Sequence, residues 1–139
     1  MHRIRLLFVA GLATACGSSL PLPRQVAPSE DAFFEVPYPP PPALSELVPK
    51  RPKGKNVVFQ DGGWTWRGRY YVWERGGWVT PDASARFCPW AFHFTADGRA
   101  LFSKSHWVDT QGHYLRPAAI LVPAVTPPNE VTAEFQTGR

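Results

Sequence analysis

The sequence predicts an all-β fold, a small antiparallel meander of hairpins over residues 57–122, preceded by a Pro-rich extended linker. Three observations predict it. The 66 residues from Val57 to Val122, in a chain of 139, hold all six Trp, three of the four Tyr and five of the nine Phe. Polar turns containing Gly recur between these aromatic runs, and no window sustains the 3.6-residue period of an amphipathic helix. Ten of the 16 Pro lie between Pro21 and Pro52, outside the aromatic stretch. Four segments follow: a signal peptide over 1–15, a linker over 16–56, the β domain over 57–122 and a loose C-terminal tail over 123–139.

The N-terminus has the layout of an export signal. Met1-His2-Arg3-Ile4-Arg5 is basic, Leu6 to Leu12 is apolar, and small residues follow from Ala13 to Ser19. An apolar run this short falls well below the ~20 residues that a membrane-spanning helix needs. The segment Leu12-Ala13-Thr14-Ala15-Cys16 resembles a bacterial lipobox, with Leu12 one position further from the Cys than that motif places it. The resemblance implies that Cys16 becomes a lipid-modified first residue. It also implies an envelope protein of a Gram-negative-type bacterium, sorted to the outer membrane because Gly17 stands where an Asp would retain it. Ordinary cleavage after Ala15 would instead leave Cys16 a thiol, able to bridge to Cys88 in an oxidising compartment. With Cys16 acylated, Cys88 has no partner and the domain stands without a disulfide. Cys88 itself, in Arg86-Phe87-Cys88-Pro89-Trp90, is expected as a small buried apolar residue.

In the linker, Val36-Pro37-Tyr38-Pro39-Pro40-Pro41-Pro42 favours polyproline II, since each ring fixes φ and removes a donor. Some forty residues at ~3.1 Å each would reach on the order of 100 Å, a semi-rigid spacer holding the domain off a membrane. The linker ends in the basic cluster Lys50-Arg51-Pro52-Lys53-Gly54-Lys55, a solvated stretch that could also sit against anionic phosphate groups.

The strands are read in order. Gly63 to Trp66 turns at Arg67-Gly68 into Arg69 to Trp73, and Glu74-Arg75-Gly76-Gly77 turns again into Trp78-Val79. Trp90 to Phe94 turns at Ala96-Asp97-Gly98 into Arg99 to Phe102. Ser105 to Val108 turns at Asp109-Thr110-Gln111-Gly112 into His113 to Leu115. Asp-Gly between apolar runs is a strong hairpin signal, because Gly accepts positive φ without strain. Val131 to Phe135 in the tail could add an edge strand.

The hairpins echo one another, and Trp64, Trp66, Gly68, Tyr70 or Tyr71, Trp73, Gly76 or Gly77 and Trp78 together resemble the YXWGXW-type aromatic repeats of bacterial exported proteins. The match is close over 59–79 and looser over 90–115, where Ser103 stands in place of Trp73. That resemblance implies a fold and no activity. Gly63-Trp64 with Tyr70-Tyr71 is also similar to the aromatic hairpins of choline- and glucan-binding modules.

Strand alternation puts Trp64 with Trp66, Tyr71 with Trp73, and Trp90 with Phe92 and Phe94, each set on one face. With few aliphatic residues in reserve, most of these rings are needed for the core. Tyr70, on the opposite face, is the first candidate for an exposed platform, and Tyr70, Trp73, Trp78 and Trp107 are the candidate contacts for a glycan or protein partner.

Net charge is +4, and removing Arg3 and Arg5 leaves 13 basic side chains against 11 acidic ones. That balance does not suggest a nucleic-acid binder. His93, His106, His113 and Cys88 match no zinc spacing, and no cofactor is expected. Asp97 and Asp109 sit in turns, and no nucleophile elbow, phosphate loop or paired-acid arrangement suggests an enzyme. The expected function is therefore a lipid-anchored envelope protein, facing the periplasm or the cell surface, with a structural or interaction role. The alternative is a peptidoglycan- or glycan-binding module that uses exposed Trp and Tyr.

Overall fold

The computed structural model describes residues 19–127. The signal peptide, Cys16 and the segment Val131 to Phe135 lie outside the described residues. Within them the chain is all-β. Its strands are β1 (Phe34–Val36), β2 (Val58–Gln60), β3 (Gly63–Trp66), β4 (Tyr71–Glu74), β5 (Gly77–Val79) and β6 (Arg86–Cys88), then β7 (Ala91–Phe94), β8 (Ala100–Ser103), β9 (His106–Val108), β10 (Tyr114–Leu115) and β11 (Ile120–Pro123). A single 3-10 turn spans Glu30–Ala32. Among the described residues no helix is long and apolar enough to cross a membrane.

The strands form four small antiparallel sheets, ordered β3-β4, β1-β8-β7, β10-β9-β6 and β11-β5-β2. Three of the local hairpins stand where the turn chemistry predicts them. Gly98 supplies the positive φ of +86° that the Asp97-Gly98 turn between β7 and β8 requires. Asp109 closes the turn between β9 and β10 by accepting from the Gln111 and His113 backbone N–H groups at 2.8 and 2.9 Å. The His113 N–H, foremost among its partners, holds the Asp109 carboxyl below the usual carboxylate range. Between β3 and β4 the Arg67 N–H donates to Tyr70 O at 2.9 Å, so Tyr70 belongs to the turn and not to the strand.

Two local expectations change. Glu74 to Gly77 is no hairpin, because β4 pairs with β3 while β5 pairs with β2 and β11. The chain crosses from one sheet to another at Gly76, where its backbone lies against Gln60 O. The strand β6, three residues without a flanking Gly turn, pairs with β9 and sets Cys88 opposite His106. Cys88 is buried, and burial pushes its thiol up, away from the reactive thiolate.

The larger difference concerns the linker. Apart from the 3-10 turn at Glu30–Ala32 and a turn at 53–56, residues 19–56 are extended, as their proline content favours, but they are laid along the domain and are no free spacer. Pro21 O accepts from Phe59 N–H at 2.8 Å, Arg24 O accepts from Phe87 N–H at 2.8 Å, and Val26 N–H donates to Phe87 O at 3.0 Å. Strand β1 pairs with β8 along Phe34↔Phe102, Glu35↔Leu101 and Val36↔Ala100. The physical reason is complementary bonding capacity. A polyproline segment makes no internal hydrogen bonds, so its carbonyls are free to accept, and the short sheets leave edge N–H groups without partners.

Position 123 is not the end of the packed chain either. Ala124 is fully buried, its N–H donates to Gly76 O at 2.9 Å, and Val125 exchanges two backbone bonds with Leu47 at 2.8 and 3.1 Å. The core comprises three aromatic clusters. One gathers Val36, Trp64, Tyr71, Ala100 and Phe102, a second Val57, Phe59, Trp78 and Ala124, a third Val79, Phe87 and Trp107. Val36 and Ala124 come from outside 57–122, so the aromatic stretch closes its core only with both flanking segments.

Candidate functional site

The hairpin β3-β4 pairs Trp64 with Trp73 and Trp66 with Tyr71. Directly paired residues share a face, so four rings stand together there. Trp64 and Trp73 meet edge to face at 5.1 Å between centroids, and Trp66 and Tyr71 at 4.8 Å. Tyr38 of the Pro-rich segment joins them, 5.2 Å from Trp66 and 5.7 Å from Tyr71. Such geometry sets the positive ring edge against the negative ring face.

The polar tips of Trp64, Tyr71 and Trp73, and of Trp78 on β5, point at the Pro-rich segment. Tyr71 OH donates to Tyr38 O at 3.0 Å, and Trp64 Nε1–H donates to Pro42 O at 3.3 Å. Trp73 Nε1–H donates to Glu46 Oε1 at 3.1 Å, and Trp78 Nε1–H donates to Pro49 O at 2.8 Å. The acceptors fall at 38, 42, 46 and 49, three or four residues apart, close to the three-residue turn of polyproline II. An indole can only donate, and a proline can only accept. The segment from Tyr38 to Pro49 is thus a strap held on a ladder of ring donors. Arg51 closes its end, lying 5.9 Å over the Trp78 ring and donating to Val57 O at 2.8 Å.

Glu46 is the electrostatic centre of the strap. Besides Trp73 it accepts from Gly62 N–H at 3.1 Å and from Gly76 N–H at 3.1 and 3.2 Å. One carboxylate therefore ties together the strap, the loop before β3 and the crossing at Gly76. Burial, and then the Glu46 charge, push the neighbouring Asp61 carboxyl up. A cavity of about 270 Å³ opens beside them, lined by Leu44, Glu46, Asp61, Trp73, Trp90 and Ser105 among others. A second, of about 210 Å³, continues past Asp61 and Ser105 to Glu74, His106 and Trp107. His106 Nδ1 lies 2.8 Å from Lys104 O, which fixes the proton on that nitrogen, and the ring packs on Tyr114 at 4.7 Å.

Of the candidate contacts, Tyr70 is half exposed at the turn. Trp73 is half-buried, with its N–H bound to Glu46. Trp78 and Trp107 are each only 2% exposed, so neither offers a ring face to a partner. Their indoles are bound to Pro49 O and, at 3.0 Å, to Gln60 Oε1. Alternation alone assigns a face to each ring, but what covers that face comes from elsewhere in the chain. Phe94, which alternation places with Trp90 and Phe92 on the ring face, lies at the end of β7 and is instead 60% exposed, and Tyr114, 59% exposed, is an open ring that was not among the candidate contacts. Glu46, Pro42 and Pro49 also went unread. The available signal was the count of indole donors, since six Trp in a small core require acceptors.

His93 packs on Phe33 at 4.8 Å, and His113 pairs with Asp109 at 3.0 Å. Among the described residues no three of His, Cys, Asp and Glu converge on a point that would hold a metal ion. No protein-family model matches the chain, and no curated protein or solved structure is significantly similar to it.

The ladder carries a pH signature. Burial, and then the neighbouring Tyr38, push the Tyr71 phenol from 10.0 up to about 12. A folded-state pKa raised in this way gives stability that is whole below the unfolded value and is lost as pH rises through the folded one. The protein therefore loses stability between about pH 10 and 12, followed by near-UV circular dichroism. Tyr71→Phe flattens that alkaline loss, while lowering stability at neutral pH through the missing bond to Tyr38 O.

Proposed function

We propose that this chain is a lipid-anchored protein of the cell envelope, with a structural or interaction role and no catalytic one. The export signal and lipobox-like segment of the sequence support the anchor, and the observation that supports the structural role is the donor ladder. The aromatic set that resembles an exposed binding repeat spends its polar tips on the chain's own strap, as scaffold rings do. In this reading Cys16 bears the lipid, the outer membrane is the site of anchoring, and the partner is an envelope protein or polymer. Export and anchoring are tested by palmitate labelling of growing cells. The parent chain takes up label and fractionates with membranes, and Cys16→Ala loses both. A parent chain that is unlabelled and freely soluble in the periplasm refutes the anchor.

The glycan-binding alternative keeps one observation in its favour, the half-exposed Tyr70 ring. Co-sedimentation with purified peptidoglycan decides between the two. Saturable pelleting that Tyr70→Ala abolishes, with its fold intact, favours the glycan module. No pelleting at any salt concentration favours the scaffold.

A further inference from the structure

Packing of the linker onto the domain changes where the domain can stand. Cys16 lies five residues before Pro21, and Pro21 is pinned by the bond from Phe59 N–H at 2.8 Å. An extended chain covers at most ~3.6 Å per residue, so no more than ~18 Å separates Cys16 from the edge of β2. The rest of the Pro-rich segment adds no reach, because it is bonded to the domain at Arg24, Val26, β1, Tyr38, Pro42, Glu46 and Pro49. With Cys16 acylated, the domain sits at the headgroup layer of its own membrane.

The corner nearest the anchor has the chemistry of a surface that meets anionic lipid. Leu20 and Leu22 flank Pro21 and are 39% and 48% exposed. The turn leading into β2 carries Lys50, Arg51, Lys53 and Lys55, all exposed, and Lys55 is four residues from Phe59. The Pro21–Phe59 bond joins residues 19–24 to residues 50–60, which together carry Arg24 and those four cations and no Asp or Glu, with Glu46 and Asp61 flanking the basic stretch. The ion pairs among the described residues engage Arg67, Arg99 and His113, and leave Arg24, Lys50, Lys53 and Lys55 to solvent. Basic side chains beside an anchor are drawn to the negative surface potential within about a Debye length, and one acyl attachment is strengthened by such a patch.

We propose that this corner docks on anionic lipid headgroups, with Leu20 and Leu22 entering the interface and the 50–55 turn lying against phosphates. The proposal rests on acylation of Cys16 for its biological setting, yet the contact is measurable without the acyl chain. The mature chain from position 16 onward, carrying Cys16→Ser, is floated with vesicles of phosphatidylcholine alone or mixed equally with phosphatidylglycerol. The expected result is flotation with the anionic vesicles only, weakening as salt rises. The triple variant Lys50→Glu, Lys53→Glu, Lys55→Glu, checked for native near-UV circular dichroism, binds about a hundredfold more weakly. Leu20→Ser with Leu22→Ser weakens binding while keeping its salt dependence. Equal flotation with both vesicle types, or a triple variant that floats like its parent, overturns the proposal. Failure of the anchor itself shows separately, as absent palmitate labelling of the parent chain.

Discussion

Glu46→Ala lowers the stability of this protein by about 3–5 kcal/mol, a large effect for one side chain in a segment that reads as a spacer. The carboxylate accepts from Gly62 N–H, Gly76 N–H and Trp73 Nε1–H. Hydrogen bonds to a charged acceptor contribute roughly 1.5–3 kcal/mol each, and a buried donor left without a partner costs about 1–3 kcal/mol. Both glycines are buried, while the adjoining cavity admits some water to the site, so the loss falls short of the full sum. Glu46→Gln keeps one acceptor oxygen but turns an NH₂ group towards N–H donors, and its loss is intermediate. The measurement is urea unfolding followed by Trp fluorescence. A free spacer predicts a change within about 0.5 kcal/mol, as at ordinary surface positions, and that outcome would remove Glu46 from its place at the centre of the strap.

Gly76→Ala prevents folding. A Cβ at this position would stand 2.2 Å from Gln60 O, 2.5 Å from Gly62 N and 2.8 Å from Asp61 C, all of them backbone atoms with no rotamer to yield. Relief requires moving the loop before β3 away from the crossing into β5, which breaks the Gly76 bonds to Glu46 and Ala124 together. The expected loss exceeds ~4 kcal/mol, most of the stability of a domain this small. Gly68→Ala is the control. Its Cβ would meet nothing within 4 Å, and only the strain of φ +83° remains, on the order of 1–2 kcal/mol. Soluble yield and near-UV circular dichroism distinguish them. A Gly76→Ala protein with native spectra and a midpoint near that of Gly68→Ala would contradict the packing described around the crossing.

Legibility in the sequence divides along the range of the interaction. The hairpins β3-β4, β7-β8 and β9-β10 were readable because a short polar turn ending in Gly (Arg67-Gly68, Asp97-Gly98, Asp109 to Gly112) between alternating aromatic runs is a local instruction. The cross-strand partnership of Trp64 with Trp73 and Trp66 with Tyr71 was not, because a two-residue turn at Arg67-Gly68 would set Trp66 opposite Arg69, and the observed register needs the longer loop that takes in Tyr70. Cys88 as a buried apolar side chain was readable in the same way. The crossing at Gly76-Gly77 was not, since two glycines after Glu74-Arg75 look like any turn, and only a third strand shows that they pass between sheets. Trp78 and Trp107 were misplaced as contacts because exposure depends on what covers a face, and the covering residues lie far along the chain. Glu46 was invisible for that reason too, since a lone carboxylate among prolines carries no signal until its three donors converge on it.

What the sequence by itself determined is the all-β class, the aromatic composition of the core and its local hairpins, each encoded within a dozen residues by period and turn chemistry. What only the tertiary structure decided is that the Pro-rich segment belongs to the domain. Buried indole and phenol donors require acceptors, and a polyproline strand offers carbonyls with no competing N–H groups. That match is between groups 22 to 33 residues apart, so no local pattern records it, and it appears only when both partners are placed in space.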